Sequence, residues 1–355
     1  MPGSIGVLVA QLGTPDAPTA PALRRYLREF LGDPRVLEMN PVGRWLLLNC
    51  IVLPLRPRRS AALYKKVWKP EGSPLLLISQ AQANGLQQGL GDGVRVALGM
   101  RYGKPTMDEA LEELLSAGVD RVLLFPMYPQ YSAPTSASTY DQLFRLLANR
   151  RVVPTLRVVP PHYDHPAYIG ALAQRVREHL ATLKFEPEKL LFTFHGLPRR
   201  FIDGGDPYRA QCERTGALLG EALGLSNERF LVTFQSRFGR EEWLEPYTDI
   251  TLRALGRQGV TRLVVACPGF VADCLETLDE IEVLGKEQFH EGGGKEYSMV
   301  PCLNDHPAWI AALERIAREE LAGWVHSAGI HSAGIHSAGI HSTAVQSAAT
   351  QKERA

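Results

Sequence analysis

The stretch Leu190–Pro198, LLFTFHGLP, decides the fold of this 355-residue chain. Its apolar run has the length and composition of a strand buried on both faces of a parallel sheet. His195 follows the run directly, before a glycine and a proline. In open α/β sheets, ligands bind beyond the carboxyl ends of the strands. We therefore expect His195 to face a ligand, although a histidine at a strand end can also serve only to hydrogen-bond a loop.

A second stretch, Leu263–Glu282 (LVVACPGFVADCLETLDEIE), repeats this layout of an apolar strand, a break and a helix. Asp273, Glu276 and Glu280 are spaced by three and four residues, which predicts that they share one helix face. One imidazole and a row of carboxylates suit binding of a divalent cation, acceptance of protons, or both. The alternative is that the carboxylates interact with the helix dipole and with solvent.

The rest of the chain alternates strand-like apolar runs with helix-length segments, a pattern that predicts parallel sheets covered by helices. The fold class is therefore α/β, with two similar halves. We place the first domain at residues 1–150, the second at residues 151–323 and a tail at residues 324–355. The predicted strands are Gly6–Leu12, Val94–Leu98, Arg121–Phe125, Val152–Val159, Leu190–Phe194, Phe230–Phe234 and Arg262–Ala266.

The composition excludes several classes of protein. Lys and Arg number 39 against 38 Asp and Glu, and this balance does not indicate a nucleic-acid-binding protein. The five cysteines are scattered, which favours a reducing, cytoplasmic environment over a disulfide framework. The glycine patterns of dinucleotide-binding and P-loop proteins do not occur after any predicted strand.

Two segments stand apart from the sheets. The apolar run Trp45–Leu55 is too short to span a bilayer, which needs about 20 residues. It predicts either a buried helix or an apolar lip that contacts a membrane or admits an apolar substrate. Arg56, Arg58 and Arg59 beyond it would suit lipid headgroups. The second segment is the tail, where HSAGI occurs three times and the small polar composition predicts disorder.

A series of distinctive motifs runs along the chain: LGTPDAPT (Leu12–Thr19), YLREFLGDPRV (Tyr26–Val36), GSPLL (Gly72–Leu76), RYGKP (Arg101–Pro105), YPQYS (Tyr128–Ser132), FHGLPRRF (Phe194–Phe201), GDPY (Gly205–Tyr208), TFQSRFGREEWLEPYT (Thr233–Thr248), CPGFVADCLETLDEI (Cys267–Ile281) and PCLNDHPAW (Pro301–Trp309). In sequence and in order, these motifs closely resemble those of the ferrochelatases, which insert ferrous iron into a porphyrin to form heme. The resemblance runs from about Gly6 to about Leu321 and is closest to the bacterial branch.

The resemblance implies a fold of two Rossmann-like domains with the macrocycle in the cleft between them. It also implies that His195 and Glu276 are the catalytic residues and hold the iron. Further positions match residues that contact the porphyrin or its propionates: Tyr208, Ser236, Trp243, Phe270, Arg56, Tyr64 and Ser73. Asp273 and Glu280 could carry protons away. The sequence allows His195 to be either the base or the first metal ligand. We hypothesise that it is chiefly the proton acceptor, with Glu276 as the iron carrier.

The chain departs from the family pattern at Cys274, where many relatives have a histidine, so a relay through that position is in doubt. No cysteine follows Cys302, and we expect neither a [2Fe–2S] cluster nor another prosthetic group. We predict a monomer that binds a porphyrin, with protoporphyrin IX as the expected substrate. Alternatives are a chelatase for coproporphyrin, sirohydrochlorin or a cobalt corrin precursor, and a heme-binding protein without catalytic activity.

Overall fold

The computed structural model describes residues 4–239 and 241–325. Two four-stranded parallel sheets organise this part of the chain, and both have the strand order second, first, third, fourth in the sequence of their own strands. This order agrees with the predicted α/β class with two similar halves. The contacts group Met1–Ala322 into one compact unit.

The first sheet has the order β2-β1-β3-β4. Its central strand β1 is buried on both faces, as expected for the run of valine and leucine that forms it. Val7 of β1 pairs with Val96 of β2 and with Leu123 of β3. The bounds are β1 Ser4–Thr14, β2 Val94–Gly103, β3 Val119–Pro126 and β4 Thr155–Val158.

Helices cover both faces of the first sheet. Among them, α5 begins with a capping box, in which the side chains of Thr106 and Glu109 each accept a hydrogen bond from the other residue's backbone amide. The bounds of the helices are α1 Ala20–Gly32, α2 Pro41–Leu46, α3 Leu53–Val67, α4 Pro74–Leu90, α5 Met107–Ser116 and α6 Ser138–Ala148. Two π-helical segments, Leu47–Val52 and Ala133–Ala137, are inserted between them.

The second sheet has the order β6-β5-β7-β8, with the predicted strand ending in His195 at its centre. Its strands are β5 Lys189–His195, β6 Phe230–Gln235, β7 Arg262–Ala266 and β8 Glu296–Met299. Its helices are α7 Pro166–Thr182, α8 Arg199–Asp203, α9 Tyr208–Ala222, α10 Thr248–Arg257, α11 Lys286–Glu291 and α12 Pro307–Leu321, with a π-helical segment at Glu276–Gly285.

Three sequence predictions need correction. Strand β4 pairs with β3, so the first sheet continues beyond residue 150, where we had ended the first domain. Strand β8 was not predicted, because its four residues, EYSM, contain too few apolar residues to be recognised as a strand. The helix predicted at Ala272–Gly285 begins only at Glu276 and is π-helical.

The interpretation of Trp45–Leu55 as a buried helix is also wrong. Trp45 is 61% exposed and Leu55 is 71% exposed, whereas Leu48 and Leu53 between them are buried. The segment therefore keeps one side in the core and presents another apolar side to solvent. Within the described residues, no helix is long and apolar enough to cross a membrane. The predicted disordered tail lies outside the described residues, apart from its first two positions.

Helices α7 and α12 pack against each other through a reciprocal arrangement. Each follows a DHPA motif, and the histidine of that motif caps its own helix through Nδ1, which accepts the N–H of Ala167 or Ala308. The Nε2 atom of His165 then contacts Glu319 of α12 at 3.0 Å. The Nε2 atom of His306 contacts Glu178 of α7 at 2.7 Å. The two ends of the helix pair are thus fastened in the same way.

Candidate functional site

A large cavity opens at the carboxyl ends of the strands. Its volume is about 540 Å³, and its walls are mostly apolar side chains from both halves of the chain. Leu12 of β1 and Ser132 after β3 contribute from the first half, while His195, Tyr208 and Trp243 contribute from the second. Among the described residues that line it, the charged or titratable side chains are Glu38, His195, Arg200, Tyr208 and Glu241.

His195 lies at the end of β5, the central strand of its sheet. Its Nδ1 atom is 2.6 Å from the carbonyl oxygen of Gly196, which assigns the ring proton to Nδ1 and leaves Nε2 as an acceptor. The hydroxyl of Tyr208 donates to the carbonyl oxygen of His195 at 3.0 Å and fixes the backbone there. The ring is therefore held in the orientation and tautomer that a general base needs.

The strand order places a second predicted residue beside this histidine. Strand β5 is flanked by β6 and β7, so a crevice forms where the connections leave in opposite directions. Phe270 lies in the turn after β7, and its ring centroid is 6.5 Å from that of His195. Trp243 packs closely against Gly196. A Cβ atom added at Gly196 would lie 3.1 Å from the Trp243 ring. The structure thus brings His195, Tyr208, Trp243 and Phe270 together.

Glu280 is a buried carboxylate that interacts electrostatically with His195. Ser236 binds it through both its backbone amide, at 2.7 Å, and its hydroxyl, and the backbone of Ser236 adopts the left-handed region (φ 65°) to do so. Burial raises the pKa of the Glu280 carboxyl, and the negative charge of Glu276 acts in the same direction. The two bonds from Ser236 and the nearby His195 lower it in part. Glu280 is therefore close enough to both predicted catalytic residues to sense their charges.

Glu276 does not line the large cavity. It lines a small adjoining pocket with Tyr64 and Ser73, and Leu12 is common to the walls of both spaces. Burial, followed by the negative charge of Glu276, raises the pKa of Tyr64 far above its ordinary value. The same two causes raise the pKa of the Cys274 thiol. The structure therefore places the imidazole and this carboxylate in neighbouring spaces, with Glu280 electrostatically linked to both.

Asp273 does not share a helix face with Glu276, because it precedes the helix. Its carboxylate accepts hydrogen bonds from the amide of Asn304 at 2.6 Å and from the hydroxyl of Thr277 at 3.0 Å. The backbone amide of Cys302 adds a third bond at 3.3 Å. These contacts tie the start of the acidic helix to the segment after β8. They give Asp273 a structural role, and its part in a proton relay stays a prediction.

The remaining predicted residues fall into two places. Ser73 is buried beside Glu276, and its Oγ accepts a hydrogen bond from the Thr14 hydroxyl at 2.8 Å. Arg56 is exposed on the lip, with its guanidinium carbon 5.2 Å from the ring centroid of Phe238, which lines the cavity. Ser73 therefore lies at the small pocket, whereas Arg56 lies beside the large cavity.

Sequence reasoning missed the charged residues at the cavity mouth. Arg200 follows the HGLP segment, and it contacts Glu38 of the first half and Glu241 of the second. The signal was available in the motif FHGLPRRF, since two arginines follow a strand-end histidine, but nothing in the sequence says which of the two faces inward.

No group of three or more histidine, cysteine, aspartate or glutamate side chains suited to a metal ion occurs within residues 4–239 and 241–325. A metal ion at this site would be held by fewer protein ligands than a permanent metal centre normally provides.

Comparison with known proteins gives one consistent result. The family model described as Ferrochelatase matches residues 4–321. The chain is 52% identical to a ferrochelatase from Azoarcus sp. (strain BH72), over 90% of this chain and 88% of that one. It is 49% identical to a ferrochelatase from Chromobacterium violaceum, with the same coverage. Among solved structures, SirB from Bacillus subtilis with Fe³⁺ is similar in fold, with a TM-score of 0.56, 11% identity and coverage of 90% of this chain and 96% of that one.

Proposed function

This chain belongs to the ferrochelatase family, and from that premise we propose that it inserts ferrous iron into a porphyrin in the cavity lined by His195. The reaction forms heme and releases two protons from the ring nitrogens. The observation that carries this proposal is a strand-end imidazole, with Nε2 left as an acceptor, on the wall of an apolar cavity.

The cavity supports a porphyrin with few charged substituents. Its volume of about 540 Å³ lies within the range of pockets that enclose cofactor-sized ligands. Its described lining has few charged side chains, which favours protoporphyrin IX over macrocycles with more carboxylates such as coproporphyrin or sirohydrochlorin. Trp243, Tyr208 and Phe270 provide flat apolar surfaces that would hold the ring and bend it.

His195 would accept the protons that leave the ring nitrogens. A general base must lie within hydrogen-bond reach of the proton that it removes. The bond between Nδ1 and the Gly196 carbonyl fixes the ring so that Nε2 is the basic atom. Protons would pass from His195 toward Glu280, because the raised pKa of that buried carboxyl makes it a better proton acceptor than an exposed glutamate.

Glu276 would carry the iron toward the ring. Its carboxylate lines the small pocket that adjoins the cavity at Leu12, and carboxylate with imidazole is a reasonable ligand set for ferrous iron. A pair of ligands from two sides binds the ion more weakly than a full cage does, and the ion must be released to the porphyrin. Iron is therefore a substrate in this proposal.

Anaerobic incubation of the protein with Fe(II) and protoporphyrin IX tests the activity. Heme should form over many turnovers, and parallel assays with coproporphyrin and sirohydrochlorin should be slower. A stoichiometric trap for heme without turnover would refute the proposal.

The roles of the two residues are tested with variants. His195→Ala should lower kcat about 100-fold or more while porphyrin binding is retained, and His179→Ala, which alters a remote histidine bonded to Ser298, is the matched control. If His195→Ala lost only iron affinity and kept kcat, the assignment of His195 as the base would be wrong. Glu276→Gln should raise the KM for iron more than it changes porphyrin binding.

We also propose that the apolar lip contacts a membrane surface. Trp45 and Leu55 are exposed apolar residues, the three predicted arginines beyond them are exposed, and Leu47 of the same segment lines the cavity. The double variant Trp45→Ser/Leu55→Ser should reduce binding to anionic liposomes by about 10-fold or more. Val152→Ser changes an exposed apolar residue outside the lip and serves as the control. Equal liposome binding by all three proteins would contradict the proposal.

The cytoplasmic location, the monomeric state and the absence of a prosthetic group stay predictions from the sequence. Size-exclusion chromatography with light scattering tests the monomeric state, and iron and sulfide analysis of the purified protein tests for a cluster.

A further inference from the structure

The mouth of the cavity carries a three-residue ion cluster. Arg200 lies near the start of α8, with Nη1 at 3.2 Å from a carboxylate oxygen of Glu38. Its Nε atom bonds to Glu241, and all three side chains line the cavity. Glu38 belongs to the segment between α1 and α2, so the cluster joins the two halves of the chain across the opening.

The cluster is accessible and its charges are unbalanced. The three side chains are between 40% and 43% exposed. Exposed ion pairs contribute little stability, so exchanging one partner for another anion costs little. Two carboxylates face one guanidinium, which gives the cluster a net negative charge. Among the described residues that line the cavity, Arg200 is the one guanidinium.

A ligand for this cavity must therefore combine two features. Its body must be flat and apolar to match the walls, and any carboxylate that it carries must remain at the mouth, because burying an unpaired charge in the apolar interior is costly. A guanidinium binds carboxylates with two parallel hydrogen bonds, which fixes their orientation. Arg200 is placed where such a carboxylate would emerge.

We propose that Arg200 is a binding residue for a peripheral carboxylate of the macrocycle, and that this carboxylate takes the place of Glu38 on the guanidinium. The proposal rests on the proposed function for the identity of the macrocycle. Glu241 stays bonded and holds the guanidinium in position, since it comes from the same half as Arg200. Release of Glu38 would free the segment between α1 and α2, which carries the cavity-lining residues Leu37 and Met39.

The neighbouring Arg199 provides a matched control. It bonds to Glu242 at 2.7 Å and has no part in the lining of the cavity. Both arginines are on α8 and both are paired with glutamates of the same loop. A comparison of Arg199→Gln with Arg200→Gln therefore separates binding at the cavity from a general loss of charge.

The test measures the Kd for mesoporphyrin IX, a dicarboxylate, and for its dimethyl ester by fluorescence quenching, without iron. Arg200→Gln should raise the Kd of the diacid about 10-fold, the loss expected for one charge-assisted hydrogen bond, and leave the Kd of the ester unchanged. Arg199→Gln should change neither. Glu38→Gln should lower the Kd of the diacid, because it removes the competing carboxylate.

An equal effect of Arg200→Gln on diacid and ester, or no effect on either, would overturn the assignment of Arg200. Weaker diacid binding by Glu38→Gln would overturn the exchange of carboxylates. Because these measurements need no turnover, a protein that binds the diacid through Arg200 but forms no heme would refute the proposed function and leave this inference standing.

Discussion

The buried ion pair between Asp33 and Arg101 allows a stability prediction that follows directly from its contacts. Asp33 directly follows α1, and its carboxylate accepts hydrogen bonds from the Arg101 guanidinium, the Tyr102 hydroxyl at 2.9 Å and the Ser138 hydroxyl at 2.6 Å. Its other oxygen accepts the backbone amide of Arg35 at 2.8 Å. Both charged side chains are almost fully buried. The carboxylate therefore accepts four hydrogen bonds, while Arg101 also donates through Nε to Ser138.

The substitution Asp33→Asn keeps the shape but removes the charge and turns one acceptor oxygen into a donor. It leaves the Arg101 guanidinium buried without its counter-charge, and breaking a buried pair in this way costs about 3–5 kcal/mol. For a folded unit of this size, the entropy of unfolding converts 1 kcal/mol into roughly 1.5 °C, so the Tm should fall by roughly 5–7 °C. Thermal unfolding followed by circular dichroism measures this shift.

Asp16→Asn is the matched control, because Asp16 also pairs with an arginine, Arg25, at 2.9 Å but on the surface. Its effect should be less than about 1 kcal/mol. Burial acts to raise the pKa of Asp33, but the hydrogen bonds from Ser138, Arg35 and Tyr102 and the charge of Arg101 outweigh it and lower the pKa overall.

Because the pKa of Asp33 is lower in the folded state, the ionised carboxylate stabilises the fold at pH values above its pKa in the unfolded chain. This stabilisation is lost as the pH falls through the pKa of Asp33 in the folded state. The difference between wild type and Asp33→Asn should therefore be the same at pH 6 and pH 8. Equal Tm losses for the two aspartates at pH 7 would refute the reasoning.

Two further predictions concern the acidic helix and the paired helices. Glu280→Gln should lower kcat about 100-fold with little change in porphyrin binding. Because burial raises the pKa of Glu280, protonation of this carboxyl contributes to the fall of the wild-type rate as pH drops. That contribution should be absent from the pH profile of Glu280→Gln and kept in that of Glu282→Gln, which changes an exposed residue. His165→Ala and His306→Ala should each lower the free energy of unfolding by about 1 kcal/mol through loss of a helix cap. The two capped ends are about 25 Å apart along the helices. The double variant should therefore lose the sum of the two single effects, within error, in urea unfolding.

Most of the fold could be predicted because its strands are strongly apolar. The run at Leu190–Phe194 is buried on both faces. A continuous apolar run of this kind indicates a buried parallel strand regardless of the residues that flank it. Strand β8 and the true start of the acidic helix could not be predicted, because both depend on tertiary contacts. Asp273 is held outside the helix by Asn304, which is 31 residues away in the sequence, and no local pattern reports such a bond.

The candidate site was predictable to the extent that strand ends mark it. His195 and the turn that holds Phe270 were placed correctly at one edge because parallel strands all end at the same edge. The position of Glu276 in an adjoining pocket was not predictable. The spacing of Asp273, Glu276 and Glu280 gives the directions of their side chains only if the helix type and the first helical residue are known, and here the helix is π-helical and begins at Glu276. The cluster around Arg200 likewise depends on a contact between residues that are 162 positions apart.

The two halves share a strand order but differ in the residue that they place at the end of the central strand. Each central strand, β1 and β5, ends at the same edge of its sheet. At that edge β5 presents His195, whereas β1 presents Gly13, whose backbone passes so close to Tyr102 that an added Cβ would clash with its carbonyl oxygen. At this edge the first half therefore presents close-packed backbone where the second half presents an imidazole. Under the proposed function, a porphyrin would be held by the mostly apolar walls that both halves supply, and it would meet the proposed base on the side of the second half.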